Sequence, residues 1–321
     1  MIHEQIDSLM TAKAEPRIFI PATGAWPQTW HSLGSRAANA VAAALLADRP
    51  LLVRGEPGVG KSQLARAAAT ALGRRFIATV IQPDSEYQDL LWAMDHTQRL
   101  ADAQLAAHTG NSDKVAVKAN YIGPGALWWA FNWKEAGIQA ARCNANFVPP
   151  QDNDAPDPMN HGLVLLIDEV DKADISLANG LLEVLGNRRF AVPPLGDTVT
   201  VEAGGLSPLV VLTSNDTREL PPALIRRCVV LNLQLPEDLQ GYFCQIGATH
   251  FPKTNEKVLK RAAGQILADR DNCAELPKTG LAEYLDLLTA LHCAAKGDCD
   301  KQLEWLDDIG QYFFKSQAVV R

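Results

Sequence analysis

The run Gly55-Glu56-Pro57-Gly58-Val59-Gly60-Lys61-Ser62 fits G-x-x-x-x-G-K-[ST] at every fixed position. Its chemistry is phosphate binding. Glycines let the backbone wrap an anion with its N–H groups turned inward, and a helix opening at Lys61 aims its positive end at the same place. Lys61 is expected to reach β- and γ-phosphates and Ser62 to bind Mg2+ through its hydroxyl, so Gly55 through Gln63 form the expected phosphate contact. The bland alternative is a glycine-rich turn. The apolar strand Leu51-Leu52-Val53 before the loop and the helix after it argue against that.

Three further groups have spacings that suit hydrolysis. Leu163-Val164-Leu165-Leu166-Ile167 is an apolar strand ending in Asp168-Glu169. Asp168 would hold the Mg2+ shell through water, and Glu169 would act as general base on the attacking water; the alternative is an acid pair capping the next helix. Leu212-Thr213-Ser214-Asn215 is a strand with a polar tip, where Asn215 would orient that water or contact the γ-phosphate. Alone, such an Asn is also ordinary turn chemistry. Arg226-Arg227 end a short helix before an apolar strand. One of them, Arg227 before Arg226, would reach a neighbouring subunit's γ-phosphate, although helix-end arginines also serve the dipole.

The elements that carry these groups alternate. A helix is expected over 35–48, strands at 51–53, 76–81, 163–167, 209–212 and 229–231, and helices from Lys61 and over 175–186. Strands alternating with helices imply a parallel sheet covered on both faces. Residues 1–32 read as a lead-in, with adenine contacts expected near Ile20-Pro21. Residues 33–235 read as the α/β core and 236–321 as a small all-α domain with Leu281, Tyr284, Leu285, Leu288 and Leu291 on one face. Within the core, 82–161 is a long insertion whose 148–161 part reads as a mobile loop, and 189–202 reads as a hairpin. Trp128, Trp129 and Trp133 suit either core or an exposed partner patch.

Composition is that of an ordinary globular chain: 321 residues, 47% apolar, 21% charged, net charge −7. The acidic balance gives no footprint for nucleic acid, though a ring can hide a basic pore. No apolar run long enough to span a membrane and no secretory leader is evident. The six cysteines form no C-x-x-C pair and fit scattered reduced thiols in a cytoplasmic protein.

The four groups, in this order, resemble the AAA+ ATPases, and more narrowly the MoxR-type branch. Carrying the resemblance are 54–62, Tyr121-Ile122-Gly123-Pro124-Gly125-Ala126-Leu127-Trp128-Trp129-Ala130-Phe131, Ile167-Asp168-Glu169-Val170-Asp171-Lys172-Ala173, the Leu181–Leu185 helix and the hairpin before Asn215. It spans roughly residues 33–235. Where that branch usually has Asn-Arg after the acid pair and one apolar residue, this chain has Asp171-Lys172. The resemblance implies an αβα P-loop core with a helical lid, a hexameric ring with ATP and Mg2+ at subunit interfaces, and Lys278 as the lid cation in place of an arginine. It further implies chaperone-like remodelling with a partner carrying a von Willebrand factor A domain; relatives also occur in bacterial defence systems. ATP rather than GTP follows from the family and from the lack of an N-K-x-D motif. Two other functions stay open: a regulatory switch that signals by ATP-dependent assembly, and a nucleic-acid motor or loader. For the latter, Lys114, Lys118 and Arg188-Arg189 are few.

Overall fold

The computed structural model describes residues 2–15, 17–109, 117–143, 147–150, 155–201, 205–273 and 278–315. Lys114, Glu202, Leu276-Pro277 and the middle of the 148–161 stretch lie outside them. The chain divides into two compact units, Met1–Arg54 with Ser62–Leu231, and Gly55–Lys61 with Asn232–Arg321.

The first unit opens with helix α1 (Ile2–Ala12) and an antiparallel pair, β1 (Ile18–Ile20) and β2 (Thr29–His31). The lead-in is therefore structured: Ile2, Ile6, Leu9 and Met10 recur at helical spacing, and Leu9 is wholly buried. Helix α2 (Gly34–Ala47) stops at Asp48, which takes the left-handed conformation ahead of Arg49-Pro50. Then come β3 (Leu51–Arg54), α3 (Lys61–Leu72) and β4 (Arg75–Val80). The insertion holds β5 (Trp92–Met94), α4 (His96–Thr109), β6 (Ile122–Pro124), α5 (Ala126–Phe131), α6 (Trp133–Ala140) and α7 (Pro158–His161). After it follow β7 (Leu163–Asp168), α8 (Ile175–Asn187), the β8–β9 hairpin (Arg189–Val192 and Asp197–Thr200), β10 (Leu209–Ser214), α9 (Pro222–Arg227) and β11 (Val229–Asn232).

The main sheet has the order β11-β3-β10-β7-β4, with β3, β10, β7 and β4 parallel. Burial explains the order. Every residue of β7 and β10 is buried, as strands covered on both faces must be, whereas β4 and β11 are partly exposed at the edges. Strand order reverses around β3, and in such sheets ligands bind beyond the carboxyl ends at that reversal. Trp128 and Trp129 are buried and Trp133 packs against the same core, with Trp128 edge-on to Phe190 at 6.2 Å. They are core residues, not a partner patch. At the stretch read as a mobile loop, Pro158–His161 is a capped turn of helix, with Asp157 accepting from Met159 N.

The second unit packs α10 (Leu239–His250), α11 (Glu256–Asn272), α12 (Leu281–Ala295) and α13 (Cys299–Ile309) around Phe243, Ile266, Tyr284, Leu288, Leu291 and Leu306. Side chains of Asp238, Asn255 and Asp298 cap the starts of α10, α11 and α13. On α12 it is Leu287, with Leu285 only partly buried, that completes the apolar face. None of the described helices is long and apolar enough to cross a membrane, and all six cysteines are free.

Candidate active site

The loop between β3 and α3 belongs with the second unit. Two of its glycines are obligatory. A Cβ on Gly55 would lie 2.6 Å from Leu233 O. Gly58 has φ +77°, and a Cβ there would press on Ala282 in the first turn of α12 at 3.2 Å. Lys61 is buried and donates from Nζ to Gly55 O (2.7 Å) and Glu56 O (2.8 Å). The Glu56 carboxylate in turn accepts from Arg270 Nη2 at 2.5 Å, while Arg270 Nη1 donates to Thr279 O at 3.2 Å. Lys278 is exposed and makes no hydrogen bond or ion pair among the described residues. The cation that the second unit brings to the loop is Arg270, which lies within an amphipathic helix and carries no motif.

In the first unit, the residue after Lys61 faces the acids of β7. Ser62 Oγ donates to Asp168 Oδ2 (2.8 Å) and Oδ1 (3.0 Å). Thr213 of β10 bridges the acid pair: its hydroxyl donates to Asp168 Oδ1 and accepts from Glu169 N at 2.9 Å. Glu169 holds φ +60°, a strained value for a residue with a side chain, of the kind found at functional sites. Its carboxylate accepts from Asn215 Nδ2 at 3.1 Å and pairs with Lys172 Nζ at 2.5 Å. The hydrogen bond to Glu169 is also what raises the Lys172 pKa.

Asp171 fastens the Asn215 loop. Its carboxylate, 2% exposed, accepts from Asn215 N (3.1 and 3.2 Å), Thr217 N (2.9 Å) and Thr217 Oγ1 (2.7 Å). Burial alone would raise its pKa, but the hydrogen bonds from Thr217 and Asn215 outweigh it and hold the carboxyl below its ordinary value. At the same strand ends Arg54 Nε pairs with Asp216 at 2.7 Å. Thr213, Asp171 and Lys172 were not singled out as site residues by sequence. The signal was available for Asp171 and Lys172, which stand where the resembling branch has Asn and Arg.

The remaining expected residues lie elsewhere. Gln63 accepts from Arg66 Nη1 at 2.9 Å and is turned along α3. Arg227 Nη1 donates to Leu182 O of α8 at 2.8 Å, in van der Waals reach of Gly186. Arg226 is exposed and has no such bond among the described residues. Pro21, at the expected adenine contact, gives its carbonyl to Arg66 Nη2 at 2.8 Å.

The donors suit Mg2+ and a polyphosphate. Ser62 Oγ and the Asp168 carboxylate are hard oxygen ligands, and glycines with φ +77° and +95° at 58 and 60 turn backbone N–H groups as an anion cradle does. Among the described residues no three His, Cys, Asp or Glu side chains converge as a metal cage. Mg2+ at phosphate sites needs none, since it takes one or two protein oxygens together with phosphate and water.

Sheet order, loop and strand-end acids define a P-loop nucleotide-hydrolysing domain. Residues 50–228 match the family described as AAA domain (dynein-related subfamily). The chain belongs to that family and is an AAA+ ATPase domain. Solved structures similar to it include a point mutant of Thermotoga maritima RuvB, at 14% identity and TM-score 0.47, covering 85% of this chain and 68% of that one. Another is the Thermotoga maritima RuvB Holliday junction branch migration motor, at 14% identity, TM-score 0.44, and 85% and 66% coverage. A putative ATPase from Cytophaga hutchinsonii aligns at 13% identity, TM-score 0.42, over 94% and 72%. The chain spans about two thirds of the length of these RuvB chains. No curated protein matches it.

Proposed function

We propose that this chain is a MoxR-type, Mg2+-dependent ATPase that works as a ring, hexameric by family pattern, and remodels a protein client with a partner carrying a von Willebrand factor A domain. The observation that carries the ATPase site is the bridged acid pair: Ser62 on Asp168, Thr213 joining Asp168 to Glu169, and Asn215 on Glu169. Mg2+ held through Ser62 and Asp168 would neutralise charge on the β- and γ-phosphate oxygens. Lys61 and the loop N–H groups bind the phosphates. Glu169 takes a proton from the attacking water as the oxygen–γ-phosphorus bond forms and the bond to the ADP oxygen breaks. Asn215 orients the Glu169 carboxylate. Arg270 positions the loop through Glu56, and it rather than Lys278 is the cation of the second unit that stands at the loop.

A finger from the next subunit completes the site. Arg226 suits this better than Arg227, because Arg227 is already engaged on its own helix α8. The role in remodelling and the partner rest on the resemblance of 121–131 and 167–173 to the MoxR branch. One observation favours the switch reading as second choice: the base is paired with Lys172, which would slow basal turnover until assembly frees it.

The test is ATPase rate per subunit against protein concentration, with Mg2+ and a parallel size measurement. A rate that climbs and plateaus as rings fill supports a site completed in trans. A flat, appreciable rate from monomers refutes the finger. Addition of a candidate partner then separates remodeller from switch, because only the first predicts partner-stimulated turnover with client release.

A further inference from the structure

The later turns of α3 and the start of β4 carry charge that ATP hydrolysis does not use. Arg66 is 1% and Arg74 3% exposed. Arg66 donates to Gln63 Oε1 (2.9 Å), Pro21 O (2.8 Å) and Pro27 O (2.9 Å). Arg74 donates to Gln5 Oε1 (2.9 and 3.1 Å) and Ser207 O (2.8 Å). Every one of these acceptors is neutral. Burial lowers the Arg66 pKa and brings that of Arg74 down to about 10. Arg66 Nε is buried with no hydrogen-bond partner. Arg75 spends one bond on Pro150 O (2.8 Å) and lies 5.0 Å over the Trp133 ring.

All three arginines line one cavity of about 340 Å3, and no Asp or Glu lines it among the described residues. Its other walls include Ile20, Ala69, Thr70 and Phe76. Buried charges are normally paired, because an uncompensated one costs several kcal/mol. As staples joining the β1–β2 pair and α1 to α3, these arginines account for their carbonyl contacts. That role leaves Arg66 Nε unused, with Arg75 lining the same space, in a chain of net charge −7. Small-molecule sites are mostly apolar cavities of about this size with a few convergent polar groups.

We propose that this cavity binds a small organic anion, with one oxyanion head taken by Arg66 and Arg75 and an apolar body against Ile20, Ala69 and Phe76. The head is a carboxylate or a phosphate. The site is separate from the nucleotide loop: Thr70 follows Ser62 by eight residues, about 12 Å along the helix axis at ~1.5 Å per residue.

Calorimetry on the full chain, with saturating ADP and Mg2+ so that the loop is filled, tests this with benzoate and phenyl phosphate as probes. Saturable one-to-one binding of either is expected, and the tighter probe identifies the head. Arg75→Gln and Ala69→Leu should each weaken it by about tenfold or more, that is ~1.4 kcal/mol, with ATPase rates near that of the unmodified protein. Both variants avoid removing Arg66, which the fold itself needs. No saturable binding of either probe to folded protein overturns the site, as does binding that both variants leave intact. It is also overturned if Asp152→Asn with Asp154→Asn lowers the Tm as far as Arg75→Gln does, since the chain would then supply its own carboxylates.

Discussion

Asp171→Ala tests whether the Asn215 loop must be held for turnover. The substitution leaves three donors, Asn215 N, Thr217 N and Thr217 Oγ1, without the carboxylate they share. A hydrogen bond to a charged group contributes about 1.5–3 kcal/mol and an unsatisfied buried donor costs about 1–3 kcal/mol. The three act through one group and do not add, so about 3–5 kcal/mol of stability should be lost, near the top of the single-substitution range. With the loop released, Asn215 no longer fixes Glu169, and kcat should fall about 10- to 100-fold, at most the low end of the roughly 100- to 10,000-fold that a positioned base contributes. KM for ATP should move far less, because Asp171 touches neither Lys61 nor Ser62. Steady-state ATPase assays beside urea unfolding read both effects. A folded Asp171→Ala protein with unchanged kcat would refute the reasoning and leave Asp171 purely structural. The depressed pKa gives a second readout. Its stabilisation is complete above the unfolded-state value of about 3.9 and is lost as pH falls through the lower folded value. Asp171→Asn should therefore flatten the acid limb of the stability curve below about pH 4.

Glu169→Gln should retain ATP binding and lose hydrolysis by at least about 100-fold; unchanged turnover removes Glu169 as the base. Lys172→Ala should raise basal turnover severalfold while costing under about 1 kcal/mol of stability, since the pair is partly exposed. A drop in kcat would instead make Lys172 a supporter of the base. Arg270→Ala should weaken ATP affinity measured by calorimetry more than it lowers kcat, and Lys278→Ala should do neither; the reverse pattern returns the lid cation to Lys278. Arg226→Ala should leave ATP affinity near normal and abolish the concentration-dependent rise in ATPase rate, and Arg227→Ala having that effect alone would reverse the choice of finger.

What the sequence made legible was what local backbone chemistry demands. Gly55 and Gly58 are forced by positive φ and close approach, and Asp168, Glu169 and Asn215 follow apolar runs whose burial on both faces fixes them as central strands. Arg270 was not legible because its partner Glu56 is 214 residues away and nothing near Arg270 distinguishes it from a solvent-facing helix charge. The family resemblance points instead to Lys278, which is exposed. The first helix was missed for a related reason. Its amphipathic face is short and buries only Leu9 completely, so its register rests on long-range contacts such as Ser8 Oγ to Ala71 O at 2.8 Å and Gln5 to Arg74.

Strain and charge meet at the ends of two neighbouring strands. Glu169 carries φ +60° immediately after a strand whose residues are all buried, and Asp216, beside Asn215, carries φ +57°. Each strained residue has a hydrogen-bonded neighbour that determines it: Thr213 Oγ1 on Glu169 N, Ser214 Oγ on Asp216 N at 3.0 Å. Strain of this kind persists only where surrounding bonds over-determine it. The parallel pairing of β10 with β7 sets Leu212 beside Ile167, so Thr213 stands level with Asp168 and bridges Asp168 and Glu169. The Glu169 backbone is thus set by the sheet register itself, while its carboxylate is shared between Asn215 and Lys172.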